Sequence, residues 1–129
     1  MYFTFHKSER LCSLRLISQL FAKGNPSIAR FPFRFTWVAA TLDSAVPVQV
    51  VFVVPKRKFQ RANARNAIKR HMRELYRLNK PAFYQTLPAE KQFALAIIYS
   101  GNTHLSYQEL QKSFTALIKQ LAHEMAKLG

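Results

Sequence analysis

Apolar residues recur along the chain in blocks whose spacing switches between helical and alternating. Leu11, Leu14, Ile17, Leu20 and Phe21 fall at helical spacing after Ser8, which is placed to cap the helix, and Gly24 is placed to end it in the left-handed conformation. Phe33 to Leu42 alternates loosely and is rich in aromatic and β-branched residues, the pattern of a strand. Beyond Asp43, Ser44 and Pro47, the run from Val48 to Val54 is almost wholly apolar. A second strand is expected there, paired with the first as an antiparallel hairpin and lying inside a sheet, because it has no polar face. Pro55 ends it.

From about Arg61 to Asn79 the pattern turns helical again. Ala64, Ile68, His71, Met72, Leu75 and Leu78 share one arc, and Arg65, Asn66, Lys69, Arg70, Arg73 and Arg77 share the other. Pro81 and Pro88 are expected to bracket a loop. Phe93 to Tyr99 reads as a third apolar strand, and the helix before it leaves room for a parallel crossover from the second. Gly101 and Asn102 mark a turn. The last helix has the clearest start: Ser106 and Glu109 form a capping box, Leu105 and Leu110 a hydrophobic staple, and Tyr107, Leu110, Phe114, Leu117, Leu121 and Met125 its buried stripe. The order α-β-β-α-β-α describes an α+β sandwich, a small mixed sheet with helices on one face, in a single domain spanning 1–129.

No apolar run is long enough to cross a bilayer, and His6, Lys7, Glu9 and Arg10 interrupt the apolar start, so neither a membrane span nor an export signal is expected. The reading is a cytoplasmic protein. The apolar fraction, 49%, is that of a folded chain and excludes a disordered basic tail.

Charge changes the picture more than any other property. There are 20 Lys and Arg residues against 6 Asp and Glu, for a formal net charge of +14. Half of the cations lie between Lys56 and Lys80, with Glu74 as the only acid among them. A solvated helix face normally mixes signs at spacings of three and four. Here the cations repel one another, and a phosphate backbone rewards that arrangement by releasing its counterions. Glu74 is expected to brace Arg70 and Arg77 locally. The sheet face left open by helices on one side offers a place for a single strand, which aromatic side chains bind by stacking within a cationic groove. Phe21, Phe31, Phe33, Phe35 and Trp37 lie near Arg30 and Arg34. Phe21 is the best candidate, with at least half of the others expected in the core.

Candidate chemistry is sparse. The single cysteine, Cys12, excludes an internal disulfide and a cysteine-based zinc site, and is expected as a small buried apolar residue. His6, His71, His104 and His123 show no paired spacing suited to a metal, so no metal site is assigned. With so few acids, paired carboxylates for acid–base catalysis are not expected, and neither a glycine-rich phosphate loop nor a nucleophile elbow is present.

Lys56-Arg57-Lys58, directly after an apolar strand, is followed by Arg65-Asn66, Lys69-Arg70 and Arg73-Glu74 on one helix. This arrangement resembles the bacterial ribonuclease P protein subunit. Glu9-Arg10-Leu11, Leu20 to Gly24 and the Ser106-to-Leu110 helix start add to the resemblance, which spans nearly the entire chain. It implies a ribosomal protein S5 domain 2-like sandwich with a left-handed β-α-β crossover. It also implies a role as accessory subunit of an endoribonuclease whose catalytic RNA, with magnesium ions bound mainly by that RNA, removes the 5′ leader of precursor tRNA.

The resemblance carries over specific residues. Arg65, Asn66, Lys69, Arg70 and Arg73, with Arg61 before them, correspond to the surface that contacts the catalytic RNA. Lys56, Arg57 and Lys58, together with Ile17 and Phe21 of the first helix, correspond to the leader-binding cleft. On the strand, either Arg34 and Thr36 or Phe33 and Phe35 face that cleft, depending on register; Arg34 and Thr36 are assigned to it. No catalytic side chain, no protein-bound metal, no membrane and no further protein partner are implied. Two positions depart from the family pattern: Ala67 stands where a third basic residue is usual, and Pro55-Lys56 where a serine commonly precedes the paired basic residues. The rival reading is a ribosomal-protein-like or RNA-chaperone module that binds RNA without taking part in turnover.

Overall fold

The most apolar strand of the chain, Phe93–Tyr99, occupies the interior of a four-stranded sheet. A computed structural model describes residues 7–127. In chain order the elements are α1 (Leu14–Leu20), β1 (Ser27–Arg30), β2 (Phe33–Ala39), β3 (Val48–Val53), α2 (Ala62–Gln85), β4 (Phe93–Tyr99) and α3 (Tyr107–Ala126), with a single 3-10 turn at Lys7–Glu9. The sheet order is β1-β2-β4-β3. The fold is mixed α+β, as expected, with one strand more than the sequence pattern announces.

That extra strand, β1, forms the real hairpin, pairing antiparallel with β2 so that Ile28 lies opposite Phe35 and Arg30 opposite Phe33. The expected hairpin between β2 and β3 does not form. Instead β4 lies between them, antiparallel to β2 and parallel to β3. The physical reason is burial: β4 is buried at six of its seven positions, and a strand with no polar face is best served at the centre. This leaves β3 at an edge and not in the interior. The edge is partly covered, because Leu11 N–H donates to the Val50 carbonyl at 3.0 Å and Arg10 bridges Val50 in parallel.

Alternation along the strands gives the sheet two unlike faces. One carries Phe33, Phe35, Trp37, Val48, Val50, Phe93, Leu95, Ile97 and Tyr99 and is covered by α2 and α3. There the Phe114 ring sits edge-on to Phe33 and Phe35 at 5.4 and 5.3 Å, a favoured aromatic geometry. The other face carries Ala94 and Ala96, whose small side chains let Leu16 and Leu20 of α1 pack closely. Helices therefore flank both sides of the sheet, not one. The second side is covered by a single helix of seven residues, and part of it stays open.

Local chemistry explains several boundaries. The N-cap of α1 is Ser13, whose hydroxyl accepts from Leu16 N–H, and not Ser8. The later start rotates the buried stripe: Leu14 is 83% exposed while Leu16 is buried. Gly24 adopts a φ of 95°, a conformation strained for other residues, but in the turn that follows the helix and not at its cap. Helix α2 runs through Pro81 to Gln85. Proline there forfeits one backbone hydrogen bond, and burial of Tyr76, Lys80 and Phe83 across that turn holds the helix together. The capping box of Ser106 and Glu109 is present as read from the sequence.

Candidate nucleic-acid interface

The outer face of α2 follows from its apolar one. Ile68, Met72, Leu75 and Tyr76 are fully buried or nearly so, which turns Asn66, Arg70 and Arg73 outward into solvent, together with Arg61 at the N-cap. These residues are exposed cations and an amide donor on rigid backbone, the donor set that phosphate oxygens accept. Lys69 and Arg65 lie towards the flank and are half-buried. Lys69 and Arg73 join Arg10 around a depression of about 230 Å³ floored by Val51 and Phe52 at the β3 edge.

Several cations in the same stretch are already engaged. Arg65 donates through Nη1 to the carbonyls of Phe59 (2.7 Å) and Gln60 (3.0 Å), fixing the loop that carries Lys56 and Arg57. Lys58 Nζ donates to the Ser100 carbonyl at 2.8 Å, tying that loop to the end of β4. Glu74 binds Arg77 in a two-point pair, at 2.5 and 3.2 Å. The hydrogen bond from Arg77 holds the Glu74 carboxyl below its usual value, with burial opposing and the guanidinium charge assisting. Glu74 is thus paired with Arg77, and no contact to Arg70 is seen.

Lys80 departs most from the sequence reading. It is buried (3% exposed), donating to both carboxylate oxygens of Glu9 at 2.8 and 3.1 Å. Tyr84 donates to the same carboxylate at 3.2 Å, and its phenol shares a hydrogen bond with Tyr76 at 2.9 Å. Burial pushes both phenols well above the ordinary tyrosine value. The network fastens the segment before α1 onto the C-terminal half of α2.

On the opposite side of the sheet, the β2 register is settled. Phe33 and Phe35 belong to the core, and Arg34 faces the α1 side, as does Thr36. Arg34 is exposed, with Nη1 donating to Ser27 Oγ at 3.2 Å. It lies in one cross-strand row with Ile98 and Val53, both half-buried. Thr36 sits one row further in and is only 9% exposed, so it supports the floor and does not reach solvent freely. Above the sheet, α1 leaves an apolar stripe uncovered: Leu14 (83% exposed), half-buried Ile17 and Phe21 (53% exposed). Lys56 and Arg57, both exposed, follow directly after β3. Of the other aromatic candidates, Phe33, Phe35 and Trp37 are buried and Phe31 is exposed. On this side of the sheet, then, α1 presents an exposed apolar stripe, the Ile98 and Val53 row is only half-buried, and Arg34 is an exposed cation, a combination suited to stacked bases and a phosphate backbone.

A family model described as Ribonuclease P matches residues 5–122. The chain belongs to the ribonuclease P protein family. It is 40% identical over 80 residues to the ribonuclease P protein component of Petrotoga mobilis, covering 62% of this chain and 64% of that one. It is 33% identical over 92 residues to that of Porphyromonas gingivalis, covering 71% and 66%. The chain thus spans just under two thirds of these relatives' lengths. The solved RNase P protein of Thermotoga maritima shares its fold, with a TM-score of 0.66 at 23% identity over 87% of this chain and 96% of that one.

For this ribonuclease P family chain, sequence reasoning missed three features, two at the candidate interface and one beside it. Leu14 extends the exposed stripe of α1, which only the Ser13 cap position reveals. Arg65 is a loop clamp as well as a surface cation. His71 and His104, judged unpaired by their spacing, meet in space with Nδ1 and Nε2 3.2 Å apart. Cys12 is exposed and not buried, next to Leu11, which takes the buried place in that segment. His6 lies outside the described residues. No helix among the described residues is long and apolar enough to cross a membrane.

Proposed function

We propose that this chain is the protein subunit of a cytoplasmic ribonuclease P. It binds the catalytic RNA through Arg61, Asn66, Lys69, Arg70 and Arg73. It binds the 5′ leader of precursor tRNA in the cleft of Ile17, Phe21, Arg34, Lys56 and Arg57, assisting endonucleolytic removal of the leader. The observation that carries this reading is the separation of two unlike surfaces on one small domain: a rigid, exposed cationic helix face, and an open sheet face walled by an apolar stripe. The first suits the phosphates of a folded RNA, and the second an extended single strand. Arg65 and Lys58 contribute by holding the loop that bears Lys56 and Arg57 against the fold.

Catalysis belongs to the RNA partner in this reading. The carboxylates of Glu9, Glu74 and Glu109 are committed to Lys80, Arg77 and the α3 cap, so they do not fit a magnesium site. Magnesium is accordingly assigned to the RNA, and this chain supplies charge and shape. The test is reconstitution with catalytic ribonuclease P RNA at low magnesium. Addition of the chain is expected to stimulate leader removal, and Phe21→Ala to weaken the response to leader-bearing substrate more than assembly with the RNA. RNA binding without stimulation leaves only a passive RNA-binding module.

A further inference from the structure

The proposed RNA surfaces make no use of the junction where α2 meets the loop between β4 and α3. There His71 Nδ1 and His104 Nε2 stand 3.2 Å apart, with ring centroids at 5.0 Å, and Tyr107 of α3 packs edge-on against the His71 ring at 5.2 Å. His104 is exposed and His71 half-buried, so the pair is reachable from solvent. Two imidazole nitrogens bound to one tetrahedral ion, at metal–nitrogen distances of about 2.0–2.1 Å, lie roughly 3.3–3.4 Å apart. The observed separation is already close to that edge.

We propose that His71 and His104 form a two-histidine site for a divalent cation of the zinc, nickel or copper class, separate from any magnesium carried by an RNA partner. Imidazole suits this class, whereas magnesium prefers oxygen ligands and gives up its water reluctantly. In the hydrogen bond between them one of the two facing nitrogens carries the proton; binding the ion breaks that bond and shifts that ring to its other tautomer, so that the ion takes the lone pairs of His71 Nδ1 and His104 Nε2 and the protons rest on His71 Nε2 and His104 Nδ1. The nearest carboxylate on α2, Glu74, is bound to Arg77, and Glu109 of α3 is bound within its own cap. No group of three histidine, cysteine or carboxylate side chains gathers among the described residues. Water therefore fills the remaining coordination positions and binding is readily reversible. An ion held there clasps α2 to the β4–α3 loop and stabilises the folded state by mass action.

The test is titration of the full chain with zinc chloride at neutral pH, followed by NMR of the imidazole protons and by thermal unfolding. The expected result is a joint, saturating shift of His71 and His104 resonances and a rise of a few degrees in Tm. Both are lost in His104→Gln, retained in His123→Gln and Cys12→Ser, and absent with magnesium chloride. His104 is in an exposed loop, so circular dichroism is expected to report an unchanged fold for its variant. Shifts confined to other histidines, a response that survives His104→Gln, or no response up to about 1 mM zinc overturns the proposal.

Discussion

Arg70 and Lys80 lie on one helix within the most basic stretch of the chain, yet Arg70 is exposed to solvent while Lys80 is enclosed with Glu9 and Tyr84. The N-terminal half of α2 turns its charge to solvent. The C-terminal half uses its charge to hold the molecule together, gripping the segment that precedes α1. The difference teaches that a cation's availability is set by what lies opposite its helical position, and local charge density in the sequence does not report it. Arg65 and Arg77 fall between these extremes, the first clamping backbone carbonyls and the second paired with Glu74.

The comparison breaks most readily at Glu9. Glu9→Ala leaves the Lys80 ammonium buried without its carboxylate and is expected to cost about 3–5 kcal/mol, read by urea unfolding. A Glu9→Leu/Lys80→Met double variant should recover most of that loss and leave the salt dependence of RNA binding unchanged. Replacing Arg70 and Arg73 together by Ala acts on the other half. Affinity for the catalytic RNA should fall by about tenfold to a hundredfold, and the slope of log K against log salt by roughly 1.4–1.8, while stability changes within about 0.5 kcal/mol. Equal salt slopes for the two double variants would erase the distinction.

Arg65→Ala probes the intermediate class. It should lose about 1 kcal/mol of stability through its carbonyl contacts, alongside weaker RNA binding. The smallest effect is one of pH. Because burial, and then the His71 ring, place the folded His104 value below 6.5, the unfolded chain binds protons first as pH falls. Stability from this group is complete above about pH 6.5 and declines as acid titrates through the interval below it. His104→Gln should flatten that part of the stability profile, measured by urea unfolding at a series of pH values.

Much of this fold was legible because local and tertiary signals agreed. In α3 the capping box, the apolar stripe and the preceding turn all specify one helix, and all are present. The outward cations of α2 follow from its periodicity for the same reason. Where tertiary contacts decide, the pattern falls short. β1 has the sequence Ser-Ile-Ala-Arg and only one partly buried apolar residue, too weak a signal for a strand that exists because β2 offers it an edge. The place of β4 between β2 and β3 depends on burial across the whole sheet, which neighbouring residues do not encode. Pro81 reads as a stop, yet packing around Phe83 carries the helix past it. On the α1 side of the sheet, the exposure of Phe21 and Arg34 agrees with the sequence reading. The near-burial of Thr36 and the loop-fixing roles of Arg65 and Lys58 emerge only from contacts between distant parts of the chain.

The rims of the sheet bear on behaviour at high concentration. An uncovered strand edge is a template on which another copy can polymerise. Here one rim is β1, only four residues long and ending in Arg30, and the other is shielded at Val50 by the backbone of Arg10 and Leu11. Since the Glu9 ion pair anchors that shield, loosening it would cost solubility as well as stability, by turning a protected border into a seed for self-association.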